Sequence, residues 1–208
     1  SIGTSQGAWA LYALDQLAQV SEIDESAMEE MAYEYDSQVE SVSEGSMLAW
    51  FRAKALLRRG YQEWAERDLG KIGPETRWNS DRLFERATDV LAEGRADEAE
   101  TLYEEILKRA EVRSSTRQFA ELNRARLIFE KGDYETTLKT VRGVDLPLRE
   151  RARALLEMAW SRYYLKEYGK ALGILKVIDS AFFEPLRSPE ADLLRMVIER
   201  DLCRYDLI

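Results

Sequence analysis

The chain has no histidine, a single cysteine, four prolines, and no lysine or arginine before position 52. Without histidine there is no Ser–His or Cys–His nucleophile pair, the commonest general base is missing, and nearly every catalytic zinc site is excluded. Cys203 has no second cysteine to pair with. Lying among Leu202, Arg204 and Tyr205, it reads as a small packed apolar residue rather than a reactive thiol. No run of about 18 apolar residues occurs, so no membrane-spanning helix is expected. The glycine-rich phosphate loops, the GxSxG elbow and the calcium-loop pattern are also missing. With 39 acidic residues, carboxylate pairs arise by number alone and none stands out as catalytic. The chain is therefore expected not to be an enzyme and to need no cofactor or metal.

What is present is helix-forming. Eleven glycines and four prolines in 208 residues leave long uninterrupted stretches, and 33% of residues are charged. This composition points to an all-α chain with a large solvent-facing surface. Four segments align in register: Trp50–Ile72 (WFRAKALLRRGYQEWAERDLGKI), Phe84–Ile106 (FERATDVLAEGRADEAETLYEEI), Leu122–Val144 (LNRARLIFEKGDYETTLKTVRGV) and Leu156–Ile178 (LEMAWSRYYLKEYGKALGILKVI). A small residue recurs in the first half of each, at Ala53, Ala87, Ala125 and Ala159. Another recurs in the second half, at Ala65, Ala99, Thr137 and Ala171, spaced by 34, 38 and 34 residues. Two helices approach closely only where side chains are small, so these positions mark helix crossings. Gly60, Gly94 and Gly132 fall between the halves and supply the turn; Lys166 takes that place in the fourth segment, which predicts a right-handed turn there. Leu69, Tyr103, Val141 and Leu175, followed by Ile72, Ile106, Val144 and Ile178, give each segment an apolar stripe that needs a neighbour to cover it.

This pattern resembles the tetratricopeptide repeat family, with KGDYETTL and KEYGKAL as the nearest local matches. The resemblance implies a right-handed superhelical stack of antiparallel helix pairs, an α-solenoid. Its repeats would span 46–79, 80–113, 118–151 and 152–185. Residues 1–45 would form an acidic helical pair serving as a cap or degenerate repeat, and 186–208 a C-terminal helix beginning a further repeat. The sequence departs from the family in three ways. The repeat-ending proline is displaced, with Pro74 and Pro185 nearby. A second-helix position usually held by alanine carries Ile or Val. Four extra residues lie near Arg113–Arg117. Ser188-Pro189-Glu190 reads as a helix start, and the chain ends at Ile208 where another second helix would follow.

Charge is unevenly placed. Residues 1–51 hold ten acids and no base, whereas the rest is nearly neutral, with 30 basic residues against the other 29 acids. Two helices fit this stretch: Ala8–Val20, apolar nearly all round and expected against the first repeat, and Glu25–Glu40, with Met28, Met31, Ala32 and Tyr35 on one face. Its acidic face, with Glu29, Glu30 and Glu34, is either a solvated cap or a docking surface for a basic partner segment. A phosphate backbone would be repelled, so nucleic acid is not expected as a partner.

The family's first helices line a concave groove, and the resemblance places one row of it on Lys54, Thr88, Arg126 and Trp160. The adjacent turns bring Trp50, Phe84 and Asn123 on one side and Phe129 and Tyr163 on the other. Aromatics among cations suit an extended peptide or a helix of another protein, while Phe129, Trp50 and Tyr163, each taken singly, read first as partly core. Lys54, Asn123 and Arg126 match only part of the family's carboxylate-gripping set, so binding of a peptide C-terminus is not implied. The expected function is a scaffold or adaptor module for protein–protein interaction. A regulatory or sensor domain responding to a peptide signal is the alternative, and a helical arm of an enzyme has least support. The chain opens on Ser1, and its compartment reads equally as cytoplasmic or as bacterial periplasmic or envelope-associated.

Overall fold

The computed structural model describes residues 10–14, 32–34, 39, 41–186 and 188–204. Beyond the helical stretches at 10–14 and 32–34, these form α1 (Val42–Arg58), α2 (Gln62–Leu69), α3 (Arg77–Ala92), α4 (Ala96–Lys108), α5 (Ser114–Glu130), α6 (Tyr134–Arg142), α7 (Leu148–Tyr164), α8 (Tyr168–Ile178) and α9 (Pro189–Asp201). A short 3-10 turn covers Glu184–Leu186. No strand occurs among the described residues, and no helix among them is long and apolar enough to cross a membrane. The protein is all-α.

One turn recurs wherever an odd-numbered helix ends. At Gly60 the backbone N–H donates to the Leu57 carbonyl and the next N–H, of Tyr61, donates back to Leu56. The same two bonds recur at Gly94 with Arg95, Gly132 with Asp133, Lys166 with Glu167, and Cys203 with Arg204. This is the paired closure that ends a helix on a left-handed residue, and φ is 81°, 82° and 83° at the three glycines. Lys166 does not follow the right-handed turn expected of it: its φ is 61°. The two closing hydrogen bonds outweigh the crowding of its Cβ against the carbonyl, which costs roughly 1–2 kcal/mol. Cys203, at φ 58°, occupies the fifth such turn and is exposed, so it is neither buried nor packed as its neighbours suggested. Because only three residues separate the paired helices, each pair folds back on itself as a hairpin.

The chain divides into two compact units, Ser1–Arg117 and Gln118–Ile208. In the first, α1 packs on α2 and α3, and α3 on α4. Ala53, Ala65, Ala87 and Ala99 are all fully buried, as helix crossings require. The core gathers Met47, Leu48, Trp50 and Phe51 of α1 with Ile72 and Trp78, and includes Leu11 and Ala32. Residues described within both expected acidic-segment helices thus reach the α1 core; the remainder of the expected Ala8–Val20 and Glu25–Glu40, apart from residues 10–14, 32–34 and 39, falls outside the described residues. Helix α1 begins four residues ahead of the repeat boundary expected at 46. Ser41 Oγ accepts from the Glu44 N–H, and Glu44 Oε2 accepts from the Ser41 N–H, both at 3.2 Å.

The extra residues near 113–117 serve this unit as a staple. Arg113 sets its guanidinium 2.8 Å from the buried Asp81 carboxylate, to which Thr116 also donates. Arg117 donates to the carbonyls of Leu107 and Arg109, satisfying the end of α4. Ser80 donates to the Glu111 carbonyl at 2.8 Å. In the second unit α7 packs on α6, α8 and α9, and α8 on α9. Ala125, Thr137, Ala159 and Ala171 are again fully buried. Thr137 replaces alanine at its crossing without an orphan hydroxyl, since Oγ1 donates to the Asp133 carbonyl at 2.9 Å. Helix α9 starts where Ser188-Pro189-Glu190 predicts, with Ser188 Oγ accepting from the Glu190 N–H.

Candidate functional site

In the first unit, the expected row is held by contacts within the protein. Lys54 Nζ lies 3.4 Å from Glu85 Oε1 on α3, and its ammonium sits 5.5 Å from the Trp50 ring centre. Trp50 itself is only 5% exposed and belongs to the core, so it offers little wall to a ligand. Phe84 is half-buried and packs at 5.8 Å on Tyr103. Thr88 is exposed, its hydroxyl donating to the Phe84 carbonyl one turn back. Glu34 is exposed on its helical stretch; Glu29 and Glu30 lie outside the described residues.

The second unit carries the richer surface. Arg126 Nε on α5 lies 2.6 Å from Glu157 Oε1 on α7, and Arg126 Nη1 donates to Asn123 Oδ1 at 3.3 Å. One turn along α7, the Trp160 indole N–H donates to Glu190 Oε1 on α9 at 2.9 Å. Tyr163 then donates its hydroxyl proton to Asp201 Oδ2, also at 2.9 Å. Three consecutive turns of α7 are thus tied by polar contacts to the helices beside it. Around them runs a belt of rings. Phe129 meets Tyr134 and Tyr164 at 5.4 and 6.0 Å, Tyr134 stacks on Tyr164 at 4.7 Å, and Trp160 stacks on Tyr164 at 5.9 Å. Tyr163 continues the belt to Tyr168. Tyr164 is the exposed member, at 46%.

The electrostatics of this surface follow from burial. Desolvation pushes the Glu157 carboxyl above its ordinary value; Arg126 opposes that shift and neighbouring Glu190 adds to it. The hydrogen bond to Asp201 raises the Tyr163 hydroxyl, and the Arg200 guanidinium, followed by Tyr163, holds Asp201 below the usual carboxylate range. In the first unit Asp81 is pushed up by burial despite the attraction of Arg113.

Asn123, Arg126, Phe129, Trp160 and Tyr163 therefore share one surface of the second unit. Sequence reasoning passed over the residues they bond to. Glu85 and Glu157 each stand two positions before a crossing alanine, and Lys54 and Arg126 each stand one position after one. A 34-residue repeat then separates acid from base by 31, so the pairing was readable from the register. Glu190, Asp201 and Tyr164 have no such regular position. No protein-family model matches the chain, and no curated protein or solved structure matches it.

Proposed function

We propose that the chain is a tetratricopeptide-like scaffold or adaptor module that binds another protein along its odd-numbered helices. The observation that supports this best is the five-fold recurrence of one left-handed turn together with eight buried small residues at the helix crossings. Hairpins built to one pattern bury their stripes against neighbours and leave one row of side chains facing outward. In the second unit that row combines exposed aromatic surface with fixed charge, the composition that anchors peptides and helices. The ten acids and no base of the first 51 residues are a second feature suited to a basic segment of a partner.

Affinity capture from the native source, followed by mass spectrometry, tests the reading when run on variants. Trp160→Ala with Tyr164→Ala should lose a partner that docks on the α5–α7 surface. Charge reversal at Glu29, Glu30 and Glu34 should weaken a partner of the acidic face, with a steep salt dependence. Capture unchanged by both sets, at equal protein stability, would sink the proposal.

A further inference from the structure

A cavity of 290 Å³ opens in the second unit between the start of α7, the end of α8 and the start of α9. Its floor is apolar: Leu156 and Ile178 are buried there, and Leu186 of the short 3-10 turn closes one side. Its rim is charged in both senses. Arg149 and Arg153 stand one turn apart on the exposed side of α7, the spacing at which two guanidiniums can share one anion. Neither closes an ion pair among the described residues, although Arg153 attracts Glu157 at longer range. Glu190 lines the same cavity, and its one hydrogen-bond donor among the described residues is the neutral Trp160 indole. Ser188 lines the same wall; its oxygen accepts from the Glu190 N–H, which leaves its own proton free to donate.

The rim thus offers two guanidiniums and one carboxylate, and the floor suits a short hydrocarbon. We propose that this cavity binds a free apolar α-amino acid: its carboxylate between Arg149 and Arg153, its ammonium on Glu190, and its aliphatic side chain on Leu156, Ile178 and Leu186. The size agrees. At 290 Å³ the cavity lies at the small end of ligand pockets, the class that takes a single amino acid rather than a longer peptide. An anion alone would leave Glu190 facing like charge, and an amine alone would leave both arginines unanswered. Binding would also tie α9 to α7 through the ligand. The cavity adjoins the aromatic belt through the Glu190–Trp160 hydrogen bond, but leucine binding there does not require a protein docked on the belt.

Calorimetric titration with L-leucine tests it, with Trp160 fluorescence as a second readout, because the indole bonds to the carboxylate that would receive the ammonium. Leucine should bind saturably at millimolar affinity or tighter. 4-Methylpentanoate, which lacks the ammonium, and isoamylamine, which lacks the carboxylate, should each bind at least ~10-fold more weakly. Arg149→Ala and Arg153→Ala should weaken leucine by similar factors, with Arg153→Lys intermediate. Glu190→Gln keeps an acceptor for Trp160 and should reduce leucine binding while sparing 4-methylpentanoate. Circular dichroism would confirm that each variant is folded. Absence of saturable leucine binding would overturn the proposal. So would equal affinity for N-acetylleucine, which would assign the cavity to a peptide C-terminus instead.

Discussion

The guanidinium of Arg126 meets the carboxylate of Glu157 at 2.6 Å across two helices that are not consecutive in the chain. Lys54 meets Glu85 in the same register, so one sequence rule ties neighbouring odd-numbered helices in each unit. A double-mutant cycle with Arg126→Ala and Glu157→Ala should give a coupling of about 0.5–1 kcal/mol, since both side chains keep partial solvent contact. Urea denaturation at low and high salt would measure it, and the coupling should shrink as salt rises.

The same pair sets a pH response. Burial raises the Glu157 carboxyl above 4.5, its ordinary value, so the folded protein binds this proton more readily than the unfolded chain does. Stability from this site is therefore lowest near neutral pH. It increases as pH falls through the raised value and levels off below 4.5. Relative to Glu157→Gln, the wild-type protein should gain stability over that window. Denaturation midpoints of the two proteins across the acid range would show the difference.

Lys166 holds a left-handed conformation that suits glycine better. Lys166→Gly should stabilise the second unit by about 0.5–1 kcal/mol, a rise of a few degrees in melting temperature. Gly132→Ala should destabilise it by about 1 kcal/mol, because the added Cβ meets the carbonyl at φ 83° even though the surrounding space is open. Thermal unfolding followed by circular dichroism would read both.

Ala125 is fully buried where α5 crosses α6. Ala125→Leu adds volume that the crossing has no room for and should cost about 1–3 kcal/mol. Loss of the Thr137 amide's protection in hydrogen exchange would locate the damage to this hairpin rather than to the chain as a whole.

Arg113 should matter more than its loop position suggests. Asp81 is 3% exposed, and Arg113→Ala would remove its ion-pair partner and leave the buried carboxyl with Thr116 and Arg77 as its remaining support. The expected loss is about 3 kcal/mol by equilibrium unfolding, and Asp81→Asn in the same background should recover part of it.

Much of the helical plan was legible in the sequence because it repeats. Ala53, Ala87, Ala125 and Ala159 announced the crossings, and Gly60, Gly94 and Gly132 announced the turns. Lys166 and Cys203 broke the glycine signal yet adopt the same turn, since the backbone hydrogen bonds that close it involve no side chain. The surface was harder to read. Lys54 and Arg126 look alike as isolated cations, and only the positions of Glu85 and Glu157 show that both are engaged. Trp50 and Trp160 hold neighbouring places in the pattern, but one is core and the other is tied to Glu190. The cavity rim was not legible at all, because Arg149, Ser188 and Glu190 meet through the loop after α8, where the repeat has ended.

Each left-handed turn also locks the phase between the two helices of its hairpin, because three residues in one backbone state join them. The joints that follow α4, α6 and α8 have no such turn among the described residues. Extra residues such as those near 113–117 fall at one of these joints, where they can be recruited as a staple without disturbing the crossing inside a hairpin. Inside a hairpin the same insertion would rotate the crossing alanine away from its partner. Length variation in such a chain is permitted at the joints and forbidden in the hairpins, a constraint that any engineered insertion or fusion into this protein would have to obey.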